Sequence, residues 1–596
     1  MKFNVRSGAL LLRQGLCFHA SKTPYKPLHA CVRYKSSTQL TTSYLHSVGS
    51  WSLHEKTVGQ LLDAADRNYG KREAVVSVHQ GIRKTFSEAR LDADQLAAGF
   101  LAHGLQRGDR IGIWGSNTYE WYLTQYAAAK AGLILVNINP GYRLEELKFC
   151  LNKVRVKAMV CDEKFKTSNY YEMLCQLAPE LLDGQEELVS NQLPYLKRVI
   201  IIADKQLRGA HKFQDVCNAG DSNHMREIEE LSHKIQFDEP CNIQFTSGTT
   251  GQPKAATLSH HMIVNNAFNV GNRCSYGLKE HRICMTVPLY HCFGCVLGSL
   301  NGAHFGATCV FPSPGFDPQA AVQAMQDERV TSCYGTPTMF VDILNAQRSN
   351  QRDVSSLSTG IMSGAPCPQE LVLALINEMN MKDILVMYGM TETSPVTFQC
   401  YPTDPVSVRS STIGYPSDHT EVKIIDEEGK VTPIGVGGEL CIRGYCTFLG
   451  YWDDVEKTKE VLQEDRWLKT GDLAILQPDG YGKIIGRIKD MIIRGGENLF
   501  PAEIENFLMG HPEVLEAQVF GIPDSRMGEE AVAWIRSAQN STLTEESLKL
   551  WCKGKIAHFK IPKHIIFKEE FPRTVTGKIQ KFVMRNITTK ELQLKE

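Results

Sequence analysis

Apolar residues recur at helical spacing in one set of segments and run unbroken in another, and the two kinds alternate along much of the chain. Val58, Leu61, Leu62 and Ala65 fall on one face of a helix over residues 58–66. Ala74-Val75-Val76-Ser77 is a short apolar run of strand length. Thr85-Phe86-Ser87-Glu88 opens a helix running to about Leu101, with Ser87 as its cap. Strands are predicted at 110–114, 133–136 and 158–161. They are separated by helices over 119–131, whose alanines permit close packing, and over 144–151. Residues 176–238 read as charged and irregular, with Val199-Ile200-Ile201-Ile202 as the one strong strand. The alternation then resumes with strands at 284–287, 308–311, 332–335, 361–362 and 384–387, and helices over 318–328, 337–346 and 369–379. Strands alternating with helices mean βαβ units and largely parallel sheets, hence an α/β fold of doubly wound sheets.

Past residue 400 the texture changes to short β segments with glycine turns, at 421–425, 438–443 and 481–485, which predicts a small antiparallel β-barrel over about 400–486. Residues 503–509 and 548–556 then read as helices and 514–520 and 531–535 as strands, a compact mobile α+β domain. The expected division is a large N-terminal domain over 41–488 and a small C-terminal domain over 489–596.

Between the predicted strands stand segments that periodicity does not explain. Thr246-Ser247-Gly248-Thr249-Thr250-Gly251-Gln252-Pro253-Lys254 fits neither a helix nor a strand. Its glycines open backbone angles closed to other residues, and its hydroxyls, N–H groups and Lys254 suit a multiply charged anion. It is not the Walker loop, which needs four residues between the glycines and Lys directly after the second. Ser259 is placed to cap a helix beginning near His260. In Tyr388-Gly389-Met390-Thr391-Glu392-Thr393-Ser394-Pro395, Tyr388 offers a flat face for a base, and Thr391 and Glu392 supply the hard oxygens that magnesium prefers. Thr470-Gly471-Asp472 puts a carboxylate at an expected loop tip, where it can accept both hydroxyls of a ribose.

These segments resemble, in order and spacing over about residues 50–590, the core motifs of the acyl-adenylate-forming enzymes: acyl-CoA synthetases, peptide-synthetase adenylation domains and beetle luciferases. Ala255 stands where that family usually has glycine, and Lys581 where it often has arginine. The resemblance implies binding of ATP with Mg2+ at Thr391 and Glu392, a carboxylic acid and coenzyme A. It implies that residues 246–254 hold the β- and γ-phosphates, that Ser363-Gly364-Ala365-Pro366 lies along the adenine opposite Tyr388, and that Asp472 takes the ribose. His291, in Tyr290-His291-Cys292-Phe293, is implied beside the acyl carboxylate. In Gly486-Arg487-Ile488-Lys489-Asp490, Arg487 is implied to contact the nucleotide and Lys489 to be the pivot of the small domain. Gly495 and Gly496 are implied along the pantetheine arm, and Lys578, in Thr576-Gly577-Lys578, as the catalytic lysine. Among family members the resemblance leans to fatty acyl-CoA ligases, with a medium-chain acid expected. A peptide-synthetase module would normally carry a further carrier segment. A luciferase is separated by its product, light instead of a thioester. Intact Glu392, Asp472, Arg487 and Lys578 argue against a regulator with dead chemistry.

Composition adds bounds. The 596 residues are 42% hydrophobic and carry a formal net charge of −1, which gives no electrostatic reason to expect a nucleic-acid partner. No stretch approaches the roughly 20 apolar residues of a membrane helix, and the longest candidate, 296–311, is broken by Asn301 and His304. Eighteen cysteines without framework spacing suit a reducing compartment. Cys292-Phe293-Gly294-Cys295 is a lone CxxC and a weak metal or redox signal. No Asp or Glu precedes Glu55, whereas Lys2, Arg6, Arg13, Lys22, Lys26, Arg33 and Lys35 do, the pattern of a mitochondrial transit peptide over residues 1–40 and a matrix location.

Overall fold

The computed structural model describes residues 40–246, 253–365, 367–495, 497–538, 541–574 and 578–593. The expected transit peptide lies outside them up to residue 39, as do residues 247–252 of the phosphate-loop candidate and Gly496.

Two large sheets form the scaffold. The first runs His211–Lys212, Arg198–Ile202, Val156–Asp162, Arg110–Trp114, Ile134–Ile138, Pro240–Thr246, Lys254–Ser259, Gly450–Tyr451. It is parallel as far as Pro240–Thr246 and antiparallel beyond. The second runs Tyr415–Pro416, Val396–Gln399, Asp383–Gly389, Thr359–Met362, Ser332–Gly335, Arg282–Met285, Thr308–Phe311, Glu73–Ser77, Ile82–Thr85, parallel at its centre and antiparallel at both edges. Their strands read as unbroken apolar runs because both faces are covered. One core joins residues of both sheets, such as Ile111 and Ile283, to helices including Phe86–Ala102, Tyr119–Lys130 and His260–Arg273. Tyr119–Lys130 buries every residue except Glu120. Its one buried cation, Lys130, pairs with Asp63 and with Asp94, which keeps a desolvated ammonium tolerable.

A five-stranded antiparallel sheet occupies the region expected to be a small barrel: Thr420–Ile425, Gly438–Gly444, Leu468–Leu476 and Gly482–Arg487, joined by the N-terminal Tyr44–Ser47. It closes over its own core of Phe398, Val422, Ile424, Leu440 and Ile442. The C-terminal region has a separate core, Ile492 to Ile565, between the strands Val514–Asp524, Gly528–Ser537 and His564–Phe567 and the helices Pro501–Met509 and Glu545–Cys552. The final helix Lys581–Gln593 is tied on by Trp534 Nε1, which donates to Thr588 Oγ1 at 2.9 Å.

Three expectations change. Thr85, not Ser87, caps the helix Phe86–Ala102, in a capping box with Glu88; Ser87 lies inside the first turn and donates to Asp66. The stretch 176–238 is not irregular throughout, for it carries the helices Phe213–Ala219 and Ser222–Lys234. The latter buries only Ile228 and Leu231, too narrow an apolar stripe to register among its charges. The helix expected at 548–556 is Glu545–Cys552, begun by a Thr544 cap.

Candidate active site

Phosphate-loop candidate residues 247–252 bridge two paired strands, since Thr246 and Lys254 face each other across the Pro240–Thr246 and Lys254–Ser259 hairpin. Both are therefore strand ends and not free loop. The hairpin is anchored as foreseen on the helix His260–Arg273, where Ser259 Oγ accepts from Met262 N at 3.4 Å. The placement fixes the loop's two ends at the carboxyl end of a parallel sheet, where ligands of open α/β folds bind.

Thr391 and Glu392 form a 3-10 turn, Thr391–Thr393, at the end of Asp383–Gly389, and both are buried. Glu392 Oε1 accepts from Tyr451 OH at 2.8 Å and from Thr246 Oγ1 at 3.4 Å, and no Lys or Arg forms an ion pair with it among the described residues. Its direct partners are hydroxyls, and the Lys578 charge acts on it without forming an ion pair. The site thus fits a hard cation, with one protein carboxylate and substrate oxygens as ligands, the arrangement magnesium favours beside phosphates. Among the described residues no group of three or more His, Cys, Asp or Glu could hold a metal by itself.

Asp472 is not at a loop tip. It sits within Leu468–Leu476, where Gly471 at φ 71° allows a bulge that breaks the register against Gly438–Gly444. The buried carboxylate accepts from Tyr388 OH at 2.6 Å and from Arg487 Nε at 2.8 Å. Burial, and then the Asp472 charge, raise the Tyr388 pKa, so Tyr388 stays a donor. Burial works against the Arg487 charge, but Asp472 prevails and its pKa is raised. Gly364 takes φ 88° in the turn after Thr359–Met362, a conformation that excludes a side chain there at little cost only for glycine. Ser363 Oγ donates to Met387 O at 2.9 Å, which ties this turn, with Ala365, to the strand carrying Tyr388.

His291 caps the short helix Cys292–Gly294, its Nδ1 accepting from Phe293 N at 3.2 Å. Burial, then the nearby Lys578 charge, hold its pKa down to about 3, so it is neutral. Lys578 comes from the far end of the chain, yet Arg487, Glu392 and Asp472 are its charged neighbours, with the Cys292 thiol nearby; crowding by protein and then Arg487 lower its pKa. Lys489, in the turn Ile488–Asp490, has its pKa lowered by burial first and by Arg487 next, with Lys254 adding. Lys254, Lys489, Arg487 and Lys578 are thus linked electrostatically to one another and to Glu392, Asp472 and Asp490. Gly495, on the small domain, donates its N–H to Met527 O at 2.8 Å. The CxxC thiols part company: Cys292 Sγ donates to Thr391 Oγ1 at 3.6 Å, whereas Cys295 Sγ accepts from Gln244 and Asn137.

Two groups escaped the sequence reading. Tyr451 belongs to a two-residue strand, too short to show a period. Its ring carries Lys254 Nζ at 5.0 Å from the centroid while its hydroxyl reaches Glu392. Phe448 N donates to Glu392 O at 3.0 Å. The Gly-Tyr-Trp sequence at 450–452 was the one available sign.

Comparison with known proteins agrees with this geometry. The model of the AMP-binding enzyme family matches residues 62–452, and that of the AMP-binding enzyme C-terminal domain matches residues 503–578. The chain is 50% identical over 558 residues to the medium-chain acyl-CoA ligase ACSF2, mitochondrial, of Danio rerio, covering 93% of this chain and 92% of that one. It is 46% identical to the protein of the same name in Homo sapiens, covering 93% and 91%. The crystal structure of ATP-bound MatB from Rhodopseudomonas palustris superposes with a TM-score of 0.75 at 25% identity, covering 88% of this chain and 98% of that one.

Proposed function

The chain belongs to the AMP-binding enzyme family, and on that premise we propose how its residues carry out an AMP-forming fatty acid–CoA ligation. A fatty-acid carboxylate oxygen attacks the α-phosphorus of ATP, the bond to pyrophosphate breaks, and an acyl adenylate forms. The coenzyme A sulfur then attacks the acyl carbon, AMP leaves, and a thioester remains. The supporting observation is the meeting of Lys578, Glu392, Asp472, Arg487 and the neutral His291 around one space, from segments far apart in sequence.

Asp472 takes the ribose, oriented by Tyr388 and Arg487. Residues 246–254, with the ammonium of Lys254, hold the β- and γ-phosphates. Lys578 meets the charge that builds between carboxylate and α-phosphate. His291, uncharged, lies against the incoming carboxylate without competing for it as a cation. Glu392 and Thr391 would hold magnesium, which when bound neutralises polyphosphate charge. The small domain pivots at Lys489, withdrawing Lys578 and bringing Gly495 and Gly496 to the pantetheine arm. The acid is of medium chain length, as the names of the relatives state for those proteins. The location is mitochondrial, in the matrix, consistent with those names and with the acid-free N-terminus.

Pyrophosphate release tests the reading on the purified chain with ATP, coenzyme A and acids from acetate through decanoate to octadecanoate. The largest kcat/KM is expected near decanoate. No pyrophosphate with any acid refutes the reaction, and a maximum at acetate or octadecanoate refutes the chain length. A reporter fused to residues 1–45 should enter mitochondria; cytosolic fluorescence refutes the location.

A further inference from the structure

We propose that Tyr451 is a positioning residue that fixes the Glu392 carboxylate and the Lys254 ammonium relative to each other, so that the cation site and the phosphate site are built as one unit. This rests on the reading of Glu392 and Lys254 given above.

The register of three strands puts Tyr451 there. Tyr451 pairs with Ala256 on Lys254–Ser259. Lys254 is two residues earlier and so on the same face of that strand, which carries its ammonium over the tyrosine ring at 5.0 Å. The hydroxyl at the other end of the ring donates to Glu392 Oε1 at 2.8 Å, across 59 residues of sequence. Tyr451 is itself held: its N–H donates to Thr458 Oγ1 at 2.9 Å, Phe448 packs edge-on at 4.9 Å, and the ring is 7% exposed. The surrounding segment grips both partners' elements. Leu449 N donates to Thr257 O and Trp452 N to Ala255 O on the hairpin, while Phe448 N donates to Glu392 O and Cys446 O accepts from Ser394 Oγ on the 3-10 turn.

The chemistry follows from which atoms are used. The phenol and, more weakly, Thr246 Oγ1 both donate to Oε1, leaving Oε2 for a cation. The ring face holds Lys254 without consuming any of its three N–H donors, which stay free for phosphate oxygens. A carboxylate would hold the ammonium more tightly but would spend those donors. Outer partners that orient a metal-binding carboxylate typically contribute 10–100-fold to metal affinity.

The test uses the full chain with Mn2+ as a paramagnetic stand-in for magnesium, and an ATP analogue whose α,β-bridging oxygen is replaced by methylene, so that no adenylate forms. Free Mn2+ is read by electron paramagnetic resonance. Tyr451→Phe should weaken Mn2+ binding to the nucleotide complex about 10–100-fold, yet leave metal-free analogue affinity and Tm unchanged, because the ring under Lys254 remains. Tyr451→Leu removes the ring as well, and should weaken metal-free analogue binding by about two- to fivefold. In a Glu392→Gln background, Tyr451→Phe should have no further effect on Mn2+. An Mn2+ affinity within twofold of wild type for Tyr451→Phe overturns the proposal. Equal loss of Mn2+ affinity, metal-free affinity and Tm in that variant also overturns it, because a packing defect behaves so. Absence of Mn2+ binding by the wild-type nucleotide complex would defeat the functional reading itself, an outcome distinct from an unchanged variant.

Discussion

The buried Asp472 carboxylate divides its oxygens between two neighbours: Oδ2 accepts from Tyr388 and Oδ1 from Arg487. Each oxygen keeps a second lone pair, which is what a ribose with two adjacent hydroxyls would use. Asp472→Asn exchanges one acceptor for a donor and removes the charge beside Arg487. Hydrogen bonds to charged groups contribute about 1.5–3 kcal/mol, so the KM for ATP should rise on the order of 10–100-fold, with the fatty-acid KM unmoved. Steady-state kinetics with each substrate varied in turn checks this; an unchanged ATP KM would remove Asp472 from the nucleotide site. Asp472 was legible in the sequence as a chemical group but not as a conformation. One glycine, Gly471, bulges a strand that Thr-Gly-Asp alone presents as a turn. Tyr451 left only the Gly-Tyr-Trp sequence as a sign, because its importance depends on a hydrogen bond to a residue 59 positions away.

Among elements, strands and long helices were legible wherever both faces are buried, as in Arg110–Trp114 and Tyr119–Lys130. Caps were legible to within the choice between two hydroxyls, Thr85 and Ser87. The Ser222–Lys234 helix was lost because Met225, Ile228 and Leu231, of which only the last two are buried, make a thin stripe among its charges. The buried end of Val156–Asp162 holds another feature that pattern does not disclose. Asp162 Oδ2 accepts from Ser116 N at 2.8 Å and Ser116 Oγ at 2.7 Å, tying this strand to the loop after Arg110–Trp114. Burial pushes its pKa up to about 6 against the pull of those two bonds. The folded chain therefore binds this proton more tightly than the unfolded chain. The stability so gained is full below about pH 4 and is lost as pH rises through 6. Asp162→Asn cannot titrate and can still accept from Ser116. Its stability relative to wild type should thus improve between pH 4 and 8, by about 3 kcal/mol at most, from a shift of about two pKa units. Urea unfolding of both proteins across that range reads the difference; a constant difference would mean that Asp162 does not titrate there.

The C-terminal region has a core of its own, and it is this region that carries Lys578. Motif order suggested the division and the lysine, but not how the C-terminal region is seated. Asp342, on the large domain's Pro337–Asn350 helix, faces Arg536, Arg573 and Glu516 of the small domain. Seated so, the small domain presents Lys578 among Arg487, Cys292, Glu392 and Asp472. Gly495, also on the small domain, is held to Met527. If the small domain turns as a body about Lys489, Lys578 and the Gly495 segment cannot serve the site together. Lys578 then acts in adenylation alone, where charge builds at the α-phosphate. Losing one such donor typically costs about 10²–10³ in rate, or roughly 3–4 kcal/mol of barrier. Lys578→Ala should show that loss in pyrophosphate release from ATP and acid, yet convert pre-made acyl adenylate and coenzyme A to thioester at near the wild-type rate. Both assays belong on the same purified variant, with circular dichroism to establish that it is folded. If thioester formation from the adenylate falls as far as adenylation does, Lys578 stays in the site for both steps, and rotation about Lys489 is not what divides them.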